Sequence, residues 1–229
     1  MDTIFASFFW GPRQEDANEC ADRLSRFFGE LRAITPVFAM WTRVGGRSEP
    51  ARRSPIEKPI LSEWFARSVL RTDIGSHPMP EGGFTLSFLT RYEPERDISL
   101  TVSCGVYSKW VPNVCSMRFP NAGKAARETL QLPVLVKIAK AAVTCWQPDR
   151  GVISSHEARE KLSSPIGAPV GGWITYLPAK YARLAVPPGG ASESVRDGRL
   201  IIATPDRFSS ANPTHMRFAR ELTRMLQSE

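Results

Sequence analysis

The chain lacks a long hydrophobic run. Its best apolar stretch, Leu130 to Trp146, is interrupted by Pro133, Lys137 and Lys140, so no segment reads as a membrane span, which needs about 20 apolar residues. Histidine is scarce: His77, His156 and His215 are far apart, which argues against a local metal cluster. The four cysteines, Cys20, Cys104, Cys115 and Cys145, include no C-x-x-C pair, so a zinc ribbon or thioredoxin-type site is not expected.

Enzyme signatures are missing as well. There is no G-x-S-x-G elbow. "NAGKAA" lacks the first glycine and the hydroxyl residue of a phosphate loop, and "GAPVGG" lacks dinucleotide-binding spacing. "HEARE", from His156, has Glu160 where a metalloprotease helix has its second histidine. Pro148-Asp149 and Pro205-Asp206 resemble the start of a restriction-type nuclease site. Neither is followed by E-x-K, and both suit turns better. No cofactor, metal or small-molecule substrate is implied.

What is present is an ordinary globular composition, 42% hydrophobic and 23% charged in 229 residues, enough for one sizeable core. The net charge of +7 admits nucleic acid, a membrane surface or an acidic partner. The basic residues are spread out, without aromatics interleaved on one face, so nucleic acid is not the expected partner. Their densest cluster, residues 43 to 59, reads as a mobile surface loop. The N-terminus has Asp2 where a signal peptide carries Lys or Arg, and its apolar core soon meets Gly11-Pro12. A cytoplasmic chain is expected.

Periodicity predicts the order β-α-β-α-β-β-β-α-β-α-β-β-α. A first strand covers residues 3–10. Ala17, Cys20, Ala21, Leu24, Phe27, Phe28 and Leu31 make one stripe of a helix from Asp16 to Arg32. "VFAMWTRV" reads as a strand and Pro59 to Arg71 as a helix. Strict alternation marks three middle strands, with Cys104 and Cys115 on one covered face as reduced neighbours. Residues 123–131 suit a short helix, and a stronger one runs from Pro133 to Gln147. Ser154 and Glu157 fit a capping box. Asn212 and Pro213 open the last helix. Pro187 to Ser194 reads as a loop. The whole predicts one α+β domain over residues 1–229, a mainly antiparallel twisted sheet with four to five helices and mobile loops near 43–58 and 187–198.

Five stretches then stand out in order: "FFWGPRQEDANECADRLSRFFGEL", "LTVSCGVYSKWVPN", "CWQPDRGVISSH", "GGWITYLP" and "TPDRFSSANPTH". Together they resemble the immunity proteins of bacterial polymorphic toxin systems, in particular the immunity protein 52 family, over about Phe5 to Leu226. The resemblance implies a non-catalytic protein that binds and neutralises a cognate toxin in the producing cell. That toxin is expected to be a type VI secretion effector with a nuclease domain.

Tight inhibition rests on a few aromatic and charged anchors. Tyr107, Lys109, Trp110, Asn113, Tyr176, Tyr181 and Phe208 are candidates for the contact, with Glu93, Glu95 and Asp97 as an acidic patch that could imitate nucleic acid. A second acidic group is Glu15, Asp16, Glu19 and Asp22. Trp10, Trp41, Trp64 and Trp146 sit on apolar patterns and are assigned to the core. Trp110, Asn113 and Trp173 are equally readable as residues of the fold. Two alternatives stay open. One is a small enzyme around Ser155, His156 and Glu157. The other is a nucleic-acid module using the basic loop and Arg217, Arg220 and Arg224, a face also explained as solvated with Arg217 paired to Glu221.

Overall fold

In the computed structural model of the protein, residues 2–45, 53–54, 56–72, 74–93, 96–164 and 168–228 are described. The strands are β1 (Ile4–Trp10), β2 (Trp41–Arg43), β3 (Arg53–Ser54), β4 (Phe84–Leu89), β5 (Ser99–Cys104), β6 (Asn113–Arg118), β7 (Arg150–Ser155), β8 (Ile174–Leu177), β9 (Ala191–Val195) and β10 (Gly198–Ile202). They form one sheet in the order β3-β2-β4-β5-β6-β1-β7-β8-β10-β9, antiparallel at each pairing. The helices are α1 (Ala17–Ile34), α2 (Lys58–Ala66), α3 (Gly123–Thr129), α4 (Leu132–Trp146), α5 (His156–Leu162) and α6 (Pro213–Gln227). This is the expected α+β architecture, with one α-helix more than the upper expectation.

Register assigns the two faces of the sheet. Ala6, Phe8 and Trp10 stand opposite Met117, Cys115 and Asn113 on β6. Trp10 stacks on Trp146 of α4, and Phe28 of α1 meets Phe88 of β4 edge-on. The helices α1 and α4 therefore cover this face. Phe5, Ser7 and Phe9 point to the other. There, over β4, β5, β6 and β1, hydroxyls pair across strands: Ser7 with Ser116 (2.9 Å), Ser87 with Thr101 (3.0 Å) and Thr85 with Ser103 (2.8 Å).

Local signals explain most boundaries. Asp16 caps α1 through Asn18 N and Glu19 N, and Glu19 returns a bond from Asp16 N, completing a capping box. Pro133 takes the first turn of α4, and Gln147 ends it in the left-handed region before Pro148. Asn212 caps α6 as expected.

Several details differ from the sequence reading. Only Trp41–Arg43 of "VFAMWTRV" is strand; Pro36–Phe38 forms a 3-10 turn capped by Thr35. The second helix stops at Ala66 rather than Arg71. Within the expected basic loop, residues 46–52 and 55 lie outside the described residues, and Arg53–Ser54 pairs with β2. Residues 191–195, expected within a loop, form edge strand β9. Its polar, half-solvated composition hides the alternation of a covered strand. The cap of α5 is Ser155, whose Oγ accepts from Ala158 N, while Glu157 accepts from Thr3 N.

All four cysteines are free and buried. Cys115 stands opposite Val102, and Cys104 opposite Phe84. The thiols that influence them come from helices instead: Cys20 of α1 is a neighbour of Cys104, and Cys145 of α4 of Cys115. Burial pushes Cys104 and Cys115 well above the ordinary thiol range, and Cys145 to about 11. Such thiols are protonated and unreactive.

Candidate functional site

Three of the five distinctive stretches meet at one corner of the molecule. Trp10, at the end of β1, stacks on Trp146 with centroids 5.3 Å apart. Arg13 lies 5.2 Å over Trp10 and donates to Trp146 O at 3.0 Å, while Arg23 donates to Cys145 O at 2.9 Å. Two guanidiniums thus satisfy carbonyls at the negative end of α4. Glu15, 8% exposed, pairs with both arginines. Asp149, just past α4, accepts from Gly11 N at 2.7 Å. These residues hold the ends of β1, α4 and β7 in fixed relation.

The 105–112 loop, between β5 and β6, is anchored at the same corner. Asn113 is fully buried. Its Oδ1 accepts from Val106 N at 2.9 Å, and its Nδ2 donates to Val106 O at 2.9 Å and Gly11 O at 2.7 Å. Tyr107 N and Ser108 N both donate to Glu81 O. Gly105 has φ +71°, and a Cβ there would lie 2.7 Å from Glu15 O, so both backbone and space require glycine. This base projects the tip outward. Trp110 is 82% exposed, Lys109 Nζ sits 4.9 Å over its ring, and Tyr107 and Val111 are exposed beside it.

Beside the loop, on the face that carries Phe5 and Phe9, lies a cavity of about 550 Å³. Strands β1, β7 and β8 form its floor. The 108–112 tip, residues 168–170, Arg159 of α5, Leu226 of α6 and the Lys180–Tyr181 turn form its walls. Its charged lining residues are Lys109, Asp149, Arg150, Arg159 and Lys180. Among the described lining residues four are cations, and the single acid, Asp149, is engaged by Gly11 N. Arg150 lies 5.0 Å over Phe9 and Lys180 5.0 Å over Tyr181. A second hollow of about 340 Å³, lined by Leu70, Met79 and Glu81, borders the other side of the same tip.

The structure therefore brings Lys109, Trp110, Tyr176 and Tyr181 together on one cavity, with Tyr107 in the adjoining loop. It places the other sequence candidates elsewhere. Asn113 is the buried clamp of the loop. Phe208 is 1% exposed and stacks on His215, whose Nδ1 accepts from Ser209 N. Glu93 accepts from Lys124 N and Ala125 N at the start of α3, and Asp97 pairs with Arg91. Both sit at the opposite end of β5 from Trp110. Glu95 lies outside the described residues.

Sequence reasoning missed Phe5, Phe9, Arg150 and Arg159. Its one available signal was "IFASFFW", apolar at both parities, which marks a strand covered on both faces. Of the remaining two stretches, "GGWITYLP" lines the cavity through Tyr176, and other residues of both serve the fold. Trp173, fully buried, donates Nε1 to Thr204 O, and Gly171 N donates to Thr223 Oγ1 of α6. Ser210 holds Asp2, and Asn212 caps α6.

The alternative sites gain little geometry. Ser155 Oγ serves Ala158 N and lies 3.5 Å from Asp2, with no bond to His156. The His156 ring packs on Phe5 at 4.8 Å, and burial, aided by Arg118, holds its pKa below the usual imidazole value. A nucleophile–base pair is not assembled there. Among the described residues no group of His, Cys, Asp and Glu could hold a metal ion, and no helix is long and apolar enough to cross a membrane. Arg217, Arg220 and Arg224 are exposed on α6. The expected Arg217–Glu221 pair is not among the ion pairs of the described residues.

The chain is similar in fold to a solved Pseudomonas aeruginosa T6SS protein, PA0821. The TM-score is 0.59 at 12% identity, covering 98% of this chain and 72% of that one. A search of curated proteins finds no match. The model of the family described as Immunity protein 52 matches residues 2–229. With nearly its whole length matched, the chain belongs to the immunity protein 52 family.

Proposed function

We propose that this protein neutralises a toxin by binding it in the cytoplasm of the cell that makes both, and that it does so without catalysis. The toxin is a nuclease-type effector of a type VI secretion system. The family match over residues 2–229 carries the reading. The fold shared with a T6SS protein supports it, as does the unassembled state of the Ser155–His156 pair.

The test is co-expression with the toxin domain encoded beside the gene. Cells making both should survive, and the two purified proteins should form a stable complex. Killing that persists despite expression of this chain would sink the proposal. The His156→Ala variant should protect as well as the parent chain does, and loss of protection in a folded His156→Ala protein would favour the enzyme reading.

A further inference from the structure

The cavity and the loop beside it have the makings of a docking site, and their chemistry specifies what docks. Trp110 (82% exposed) and Val111 (46%) stand on the rim between the two hollows, and Leu70 (43%) borders the second hollow. Large apolar side chains clustered on the surface of a soluble protein mark a contact site. The tip that carries Trp110 is already ordered by Asn113 and by Glu81 O, so little conformational entropy is lost when a partner binds. A cavity of about 550 Å³ lies in the range of ligand-receiving pockets.

Charge then selects the partner. Among the described residues, Lys109, Arg159 and Lys180 form no ion pair, and the one acid of the lining, Asp149, is held by Gly11 N. The rim is left positive, which attracts an acidic surface and repels another basic one. A second copy of this chain, net charge +7, is a poor match.

We propose that this cavity receives an apolar side chain from an acidic segment of the toxin, with Trp110 covering that side chain and the surrounding cations pairing with the carboxylates that flank it. The inference rests on the toxin-binding reading above. It predicts that the toxin is held through an acidic patch, so the basic charge of the chain serves inhibition directly.

The experiment titrates the purified toxin domain encoded beside the gene against four forms of the full chain. They are the parent, Trp110→Ala, the double variant Arg159→Glu with Lys180→Glu, and Lys137→Glu on the exposed side of α4. All changed side chains are exposed, so the variants should fold, and circular dichroism checks that they do. Trp110→Ala should weaken binding by about 30-fold or more, the scale of an interface anchor. The double variant should bind about 10-fold more slowly, and the parent's association rate should fall as salt rises. Lys137→Glu should stay within about twofold of the parent.

If the parent binds and both cavity variants stay within twofold of it, the toxin docks elsewhere; this inference fails and the immunity reading stands. If the parent neither binds nor protects, the immunity reading fails and takes this inference with it. A parent chain that dimerises, and that Trp110→Ala makes monomeric, would assign the cavity to a second copy and overturn the inference.

Discussion

Residues 90–98 at one end of β5 carry Glu93 and Asp97, while residues 105–112 at the other end carry Lys109 and Trp110. Both loops looked like contact surfaces in the sequence. In the first, Glu93 and Asp97 are consumed internally: Glu93 serves two backbone N–H groups of α3, and Asp97 pairs with Arg91. In the second, the internal work is done by Asn113 and by Glu81 O at the base, which leaves the tip free. A candidate binding residue is thus better judged by whether its polar atoms are already satisfied than by its residue type.

Substitutions can break or sharpen this contrast. The largest effect is expected for Asn113→Ala. It strands the N–H and C=O of buried Val106 together with Gly11 O, and should lower unfolding stability by about 3 kcal/mol. Chemical denaturation measures this, and toxin binding should weaken with it because the loop loses its base. Glu93→Ala removes the cap on α3 and should cost about 1 kcal/mol, with toxin affinity unchanged. A drop in affinity without further loss of stability would show that the acidic loop also touches the toxin. The smallest change in stability belongs to Trp110→Ala, within about 0.5 kcal/mol, because the ring is mostly in water. A large loss there would mean that Trp110 closes the fold.

Much of the architecture was legible in the sequence. The stripe from Ala17 to Leu31 and the cap at Asp16 define α1. The strict alternation of β4, β5 and β6 gave the core face correctly, and Asn212-Pro213 marked the start of α6. These signals are local, since they depend on periodicity and on backbone groups a few residues apart. Edge strand β9 was not legible, because a short polar strand with only Val195 buried carries no visible alternation. The thiol neighbours were missed for a different reason. Alternation places Cys104 and Cys115 on a face, but not which helix residue covers each.

The candidate site divides the same way. Trp110, Lys109, Tyr176 and Tyr181 could be picked out as aromatics and a cation near strand ends. Nothing in their spacing showed that Tyr176 and Tyr181 share a cavity with Trp110, or that Phe208, of the same residue class, is enclosed against His215.

By itself, the sequence determined the fold class, most of the elements, the family resemblance and the basic charge, because each is set by composition or by neighbours along the chain. Only the tertiary structure decided that the stretches around Trp10, Asn113 and Asp149 form one corner. It also decided that Lys109, Arg159 and Lys180 gather on one rim without an ion pair among the described residues, while Glu93 and Asp97 are spent on capping and pairing. Those outcomes depend on contacts between residues up to 138 apart, such as Gly11 with Asp149, and on strand order in the sheet, which no local pattern encodes.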